Sequence, residues 1–188
     1  DINKLYDLWI SSAVADKDLI PELESIKGDE EAILDRFYKN LEFGTAGLRG
    51  VIGAGTNRMN VYTVNQATQG LADYLNEEFD EPSVAIAYDS RIKSKVFAES
   101  AAGVLAANGI KVYLFEDLRT TPELSFSVRH LNCFGGVVIT ASHNPPEYNG
   151  YKLYDETGCQ LIPREANKVI DFISKIENEL LVECLDIK

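Results

Sequence analysis

Residues 139–152, ITASHNPPEYNGYK, place a serine beside a histidine straight after a run of β-branched residues. Ser142 offers a hydroxyl just past the end of an expected strand, where it can face a cleft. Pro145 and Pro146 stiffen the backbone behind it, and Asn149-Gly150 reads as a turn that sends the chain back. Lys152 then returns a positive charge to the same place. Stiffness of this kind suits catalysis, because a loosely held nucleophile forfeits orientation. For a lone Ser-His pair, a tight loop with an incidental hydroxyl and a solvent-facing His143 is the commoner explanation.

Acyl transfer fits the stretch badly. No Gly-x-Ser-x-Gly elbow surrounds Ser142, and adjacent side chains diverge, which makes His143 a poor base for its neighbour. The other histidine, His130, falls in an expected helix upstream. Two further stretches carry candidate chemistry. GTAGLRG (44–50) spaces its glycines so that backbone amides can approach an anion, and Arg49 adds a fork of donors suited to phosphate. The plain alternative is a glycine-rich connection with one solvated arginine. It is not a phosphate-binding P-loop, which ends in Gly-Lys-Ser/Thr, and GVIGAG has the wrong glycine spacing for a dinucleotide site. YDSR (88–91) brings Asp89 and Arg91 to a strand end, where they either bind ligand or pair with each other and cap the next helix. The second reading is preferred for this pair.

The elements that must hold these loops follow from periodicity. Short helices are expected through the first 40 residues, and Val61, Val64, Thr68, Leu71, Leu75 and Phe79 form one helical stripe. Strands are expected at 83–89, 110–115, 135–140 and 150–155, with helices over 94–109, 121–131 and 165–181. Alternating strands and helices predict a three-layer α/β/α sandwich around a mixed, mostly parallel sheet of about four strands, preceded by an N-terminal helical extension. The pair 135–140 and 150–155 adds a local antiparallel element. Ligands of open α/β sheets bind beyond the carboxyl ends of strands, which is where Ser142 falls.

Bulk composition narrows the partners. The chain has 188 residues and is 45% hydrophobic, enough for one core, so residues 1–188 are read as a single domain with 1–40 as its helical leader. A net charge of −12 argues against nucleic acid and requires local cations to draw in any anion. No apolar run approaches the roughly 20 residues of a membrane span, and no signal peptide is evident. Cys133, Cys159 and Cys184 are scattered, which suits a reducing cytoplasm rather than a disulfide frame or zinc cluster. The chain starts at Asp1 and its one methionine is Met59, so it is expected to be a piece of a longer protein.

In order along the chain, FGTAGLRG, AYDSR and TASHNPPEYNGYK resemble the α-D-phosphohexomutase family, which includes phosphoglucomutases and phosphomannomutases. The similarity runs from about residue 40 to 155. It implies that Ser142 carries a phosphoryl group, gives it to a hexose monophosphate and takes the other one back. The net reaction interconverts hexose 1-phosphate and hexose 6-phosphate, with glucose favoured and glucose 1,6-bisphosphate as intermediate and activator. By the same resemblance Arg49, Thr45, Asn144 and Lys152 bind phosphate, and His143 and Lys152 assist proton transfer. Asp89, Arg91 and Asn149 support the loop. Mg²⁺ is implied, with phosphorylated Ser142 giving one ligand and an Asp-Gly-Asp-x-Asp-Arg-type loop, absent from this sequence, giving the rest. The expected partners are the sugar phosphate and the remaining domains of the parent chain, and the isolated piece is expected to be inactive. The alternative is a non-catalytic phosphate-binding or interaction module on the same scaffold.

Overall fold

The computed structural model describes residues 1–44 and 47–187. Four of the helices begin where a side chain supplies a partner for the unpaired amides. Asp1 caps α1 (Ile2–Ser12) and Asp29 caps α3 (Glu30–Phe37), while α2 (Leu19–Ser25) lies between them. A short strand β1 (Leu48–Val51) precedes α4 (Val61–Glu78), which opens with a reciprocal Asn60–Thr63 capping box. Next come β2 (Ser83–Tyr88), α5 (Ser94–Ala107) and β3 (Lys111–Leu114). Helix α6 (Thr121–His130) starts at a Thr120–Glu123 capping box with Pro122 in its first turn. β4 (Gly135–Ile139), β5 (Tyr148–Asp155), α7 (Pro163–Ser174) and a 3₁₀ turn (Glu179–Leu181) complete the chain.

The strands form one mixed sheet in the order β1-β5-β4-β2-β3. β4, β2 and β3 run parallel, whereas β5 is antiparallel to both β4 and β1. Alternation along β2 divides its side chains between two layers. Val84, Ile86 and Tyr88 join the main core with α4 and α5, and Ala85 and Ala87 face Leu124 and Val128 of α6. The result is a three-layer α/β/α arrangement with α6 alone as the thinner layer.

Two sequence-based expectations change. The sheet has five strands rather than about four, and its pairings divide evenly between parallel and antiparallel. The added strand is β1, inside the stretch read as a glycine-rich connection. Four residues containing one glycine carry no alternation signal, and pairing with β5 imposes the extended state. Asn149-Gly150 is also no turn, because both residues lie within β5. The chain reverses earlier, where the Tyr148 amide donates to the Pro145 carbonyl at 3.0 Å. Glycine is required at 150 by crowding, since a Cβ there would lie 2.5 Å from the Thr140 carbonyl oxygen.

The leader is bound into the main core rather than set apart from it. Trp9 is fully buried, meets Phe37 and Tyr62 edge-on, and donates its indole N–H to Glu179 at 2.9 Å. Aromatic edge contacts of this kind add to the burial of their area.

Candidate functional site

Ser142 stands three residues beyond the end of β4, in a left-handed backbone conformation with φ of 53°. That conformation is costly for a residue with a Cβ, so the surroundings must hold it. Three groups do so from below. The Ser142 amide donates to Thr140 Oγ1 at 3.0 Å, and that hydroxyl donates to Asp89 Oδ2 at 2.6 Å. The Asn144 amide donates back to the Ala141 carbonyl at 3.0 Å.

Arg91 then clamps the loop from the β2 side. One guanidinium nitrogen donates to the carbonyls of Ser142 and Asn144, both at 2.7 Å, and another to those of Pro145 and Tyr148 at 3.0 and 3.1 Å. Asp89 orients the clamp through a 3.7 Å ion pair and also accepts from the Arg91 amide and the Ser94 hydroxyl. Asn149 is fully buried and ties β5 to the same segment, donating to the Ile92 carbonyl and to Ser94 Oγ at 3.0 Å each. Asp89, Arg91 and Asn149 therefore act on the shape of the serine loop. Thr140 and Ser94 complete this network and were missed in the sequence. Ser94 carried one signal, a serine at the start of a helix.

Lys152 supplies the cation at the hydroxyl. It sits on β5 opposite Val138, and its Nζ donates to Ser142 Oγ at 3.0 Å. Partial burial, and then the charge of Arg49, hold its pKa below the ordinary lysine value. Arg49 lies on β1 opposite Gly150, diagonal to Lys152 on one face of the sheet. Neither Arg49 nor Lys152 has an acidic partner among the described residues. Gly47 allows β1 to approach β5 here, because a Cβ would lie 1.8 Å from the Tyr151 carbonyl oxygen at a φ of +112°.

Open space meets these groups on two sides. A cleft of about 400 Å³ runs between Ser142 and Asn144 on one wall and Asp89, Arg91 and Ile92 on the other. A second of about 420 Å³ is bordered by Arg49, Arg58, Lys39 and Tyr148. His143 is exposed, and its ring makes no hydrogen bond among the described residues, so it is not joined to Ser142. Asn144 contributes backbone groups to the loop. His130 stacks on Phe126 on α6. Thr45 lies outside the described residues.

No group of three His, Cys, Asp or Glu side chains is placed to hold a metal among the described residues. Asp89, the carboxylate lining the cleft, already accepts from Thr140 and Ser94. These residues do not by themselves fit a Mg²⁺ cage, which needs several hard oxygen ligands.

The domain family described as phosphoglucomutase/phosphomannomutase, alpha/beta/alpha domain I, matches residues 40–180. A phosphoglucomutase of Staphylococcus saprophyticus is 42% identical over 176 residues, covering 94% of this chain and 31% of that protein. The phosphoglucomutase of Staphylococcus haemolyticus is 45% identical over 144 residues, 77% of this chain and 26% of that one. The chain thus spans about a third of the length of the curated relatives it matches. Among solved structures, a Thermus thermophilus protein proposed to be a phosphomannomutase superposes with a TM-score of 0.69 at 34% identity, covering 79% of this chain and 33% of that chain. Parafusin, a phosphoglucomutase of Paramecium, shares the fold at a TM-score of 0.62 and 24% identity, over 74% and 26% of the two chains. On the domain match and these relatives together, the chain belongs to the phosphoglucomutase/phosphomannomutase family.

Proposed function

We propose that Ser142 is a phosphoryl carrier in an enzyme interconverting hexose 1-phosphate and hexose 6-phosphate, with glucose as the favoured sugar. The observation that carries this reading is Lys152 Nζ at 3.0 Å from Ser142 Oγ, with Arg49 beside it and no carboxylate among the described residues neutralising either. Two like charges held together in a chain of net charge −12 are accounted for most simply by an anion that sits between them. Phosphoryl transfer asks for this kind of positioning and charge compensation.

In the forward half-reaction a sugar hydroxyl oxygen attacks the phosphorus on Ser142 and gives up its proton to water. The bond from phosphorus to Ser142 Oγ breaks, and Oγ takes a proton from the Lys152 ammonium as it leaves. In the return half-reaction Ser142 Oγ attacks the other phosphate of the bisphosphorylated sugar, and neutral Lys152 accepts the hydroxyl proton. The sugar oxygen–phosphorus bond then breaks, and the departing sugar oxygen takes a proton from water. A lysine with a lowered pKa exchanges that proton more readily than an ordinary one. Arg49 lies where it can offset charge on the phosphoryl oxygens. Mg²⁺ would be held by one oxygen of phosphorylated Ser142 together with ligands from outside this chain, and would offset negative charge on the phosphoryl group. A cytoplasmic setting fits the same reading.

The test is a Ser142→Ala substitution in the full-length protein, assayed with glucose 1-phosphate, glucose 1,6-bisphosphate and Mg²⁺. Loss of turnover is expected, together with phosphate on Ser142 of the unmutated protein that excess sugar monophosphate removes. Normal turnover by the alanine variant would overturn the proposal.

A further inference from the structure

Among the described residues, Lys93 is the one charged residue that links the serine-loop clamp to the N-terminal leader. It caps α5 in a left-handed conformation, φ 64° and ψ 0°, with no side-chain capping bond. Its neighbours are both committed to the serine loop. The Ile92 carbonyl accepts from Asn149, and the Ser94 hydroxyl accepts from Asn149 and donates to Asp89. Two residues upstream, Arg91 holds four carbonyls of the loop. The side chain of Lys93 itself leaves for the leader, where Nζ donates to both carboxylate oxygens of Asp16 at 3.0 and 2.8 Å, and to Asp18 Oδ2 at 2.6 Å.

Asp16 is placed to receive it firmly. Its side chain is 7% exposed, the adjacent Ala15 amide donates to Tyr62 Oη at 2.9 Å, and the Asp18 amide returns to Asp16 Oδ1 at 3.1 Å. Burial alone would lower the Lys93 pKa, and the two carboxylates more than offset it. A buried charged pair contributes little net stability against a well-packed apolar pair, but it fixes geometry, and losing one partner leaves the other uncompensated.

Resting on the phosphoryl-carrier reading of Ser142, we propose that the Asp16–Lys93 pair is a positioning strut. It braces residues 89–94 from behind, so the leader sets the conformation of the serine loop. The bond from Lys93 to Asp16 holds the left-handed turn, the turn aims Ile92 and Ser94 at Asn149, and Arg91 carries the constraint to Ser142. Neither Asp16 nor Lys93 touches the reacting atoms.

The experiment compares Lys93→Met, Lys93→Arg, Asp16→Asn and the double variant Asp16→Asn/Lys93→Met in the full-length protein. Lys93→Met and Asp16→Asn are each expected to speed amide hydrogen exchange at Asn144 and Tyr148 about tenfold while β2 and β4 stay protected. kcat should fall about tenfold with KM changed less than twofold. Lys93→Arg should restore most of the rate, and the double variant should be no worse than either single one. Unchanged exchange in the loop would overturn the strut, as would β2 and β4 loosening alongside it, or wild-type turnover despite faster exchange. The exchange measurement does not depend on phosphoryl transfer. An active Ser142→Ala protein would therefore refute the carrier reading alone, and an unmoved loop would refute the strut alone.

Discussion

Replacing Arg91 by methionine should slow the enzyme by about two orders of magnitude while leaving substrate affinity nearly intact. The side chain of Arg91 is 14% exposed and spans four carbonyls within ten residues of one another. A hydrogen bond to a charged group contributes about 1.5–3 kcal/mol, but water can replace those at the more exposed Ser142 and Pro145 carbonyls. Counting only Asn144 and Tyr148, at about 1 kcal/mol each after partial hydration, gives roughly 2 kcal/mol. Freed from the clamp, Ser142 can also leave its left-handed conformation, which adds about 1 kcal/mol in favour of misplaced loop states. The sum of about 3 kcal/mol corresponds to roughly a 150-fold drop in the fraction of enzyme ready to react. Coupled measurement of glucose 6-phosphate formation by the full-length Arg91→Met protein reads this directly. Arg91→Lys, a point charge that cannot span the fork, should fall between the two. A methionine variant within threefold of wild-type kcat would refute the idea that the clamp sets the loop.

Other substitutions separate stability from chemistry. Gly47→Ala should destabilise the protein by about 3 kcal/mol or more in urea unfolding, because its Cβ would meet the Tyr151 carbonyl at 1.8 Å and both strands must part. Lys152→Met should abolish transfer without lowering the melting temperature, since a partly buried ammonium whose pKa is depressed by burial and by Arg49 opposes folding at neutral pH. Trp9→Phe should cost about 1–3 kcal/mol by leaving Glu179 without its indole donor and opening space beside Phe37, again read by urea unfolding.

The helices and the parallel strands were legible because each announces itself locally. The Thr120–Glu123 box, Pro122 and the Val61–Leu75 stripe are short-range signals, and β2 and β4 are apolar runs of strand length. What failed to show was set by neighbours distant in sequence. β1 is extended because β5 lies beside it, and Asn149-Gly150 stays in register because Thr140 crowds position 150 and Asn149 is bonded to Ile92 and Ser94. The site divided in the same way. Ser142, Lys152 and Arg49 could be named from residue type and loop context, whereas the path from Asp16 through Lys93 to the loop joins positions with no pattern linking them. His143, the eye-catching neighbour of the serine, is exposed with no ring hydrogen bond among the described residues, so its part in proton transfer rests on the resemblance alone.

The cations around Ser142 make one further demand on the phosphorylated protein. In the unmodified state Lys152 has a pKa below its unfolded value, so between those two values the unfolded chain holds more protons. Stability therefore rises with pH across that window, and the charged lysine works against folding below it. Phosphate on Ser142 brings a charge of about −1.5 to −2 next to an ammonium that already reaches Oγ at 3.0 Å. The lysine pKa should then move above its unfolded value, and the sign reverses. The charged pair stabilises the fold at neutral pH, and that contribution is lost as pH climbs through the raised pKa. A charge-assisted contact on a half-exposed site contributes about 1–2 kcal/mol, or roughly 2–6 °C in apparent melting temperature. Melting the phosphorylated and dephosphorylated full-length proteins side by side at about pH 7.5 should show the phosphorylated form higher, with the gap shrinking in about 1 M salt as the pair is screened. Equal melting temperatures at low salt would mean that Lys152 and Arg49 do not meet the phosphate. The case for Ser142 as a carrier held by these two cations would then fail.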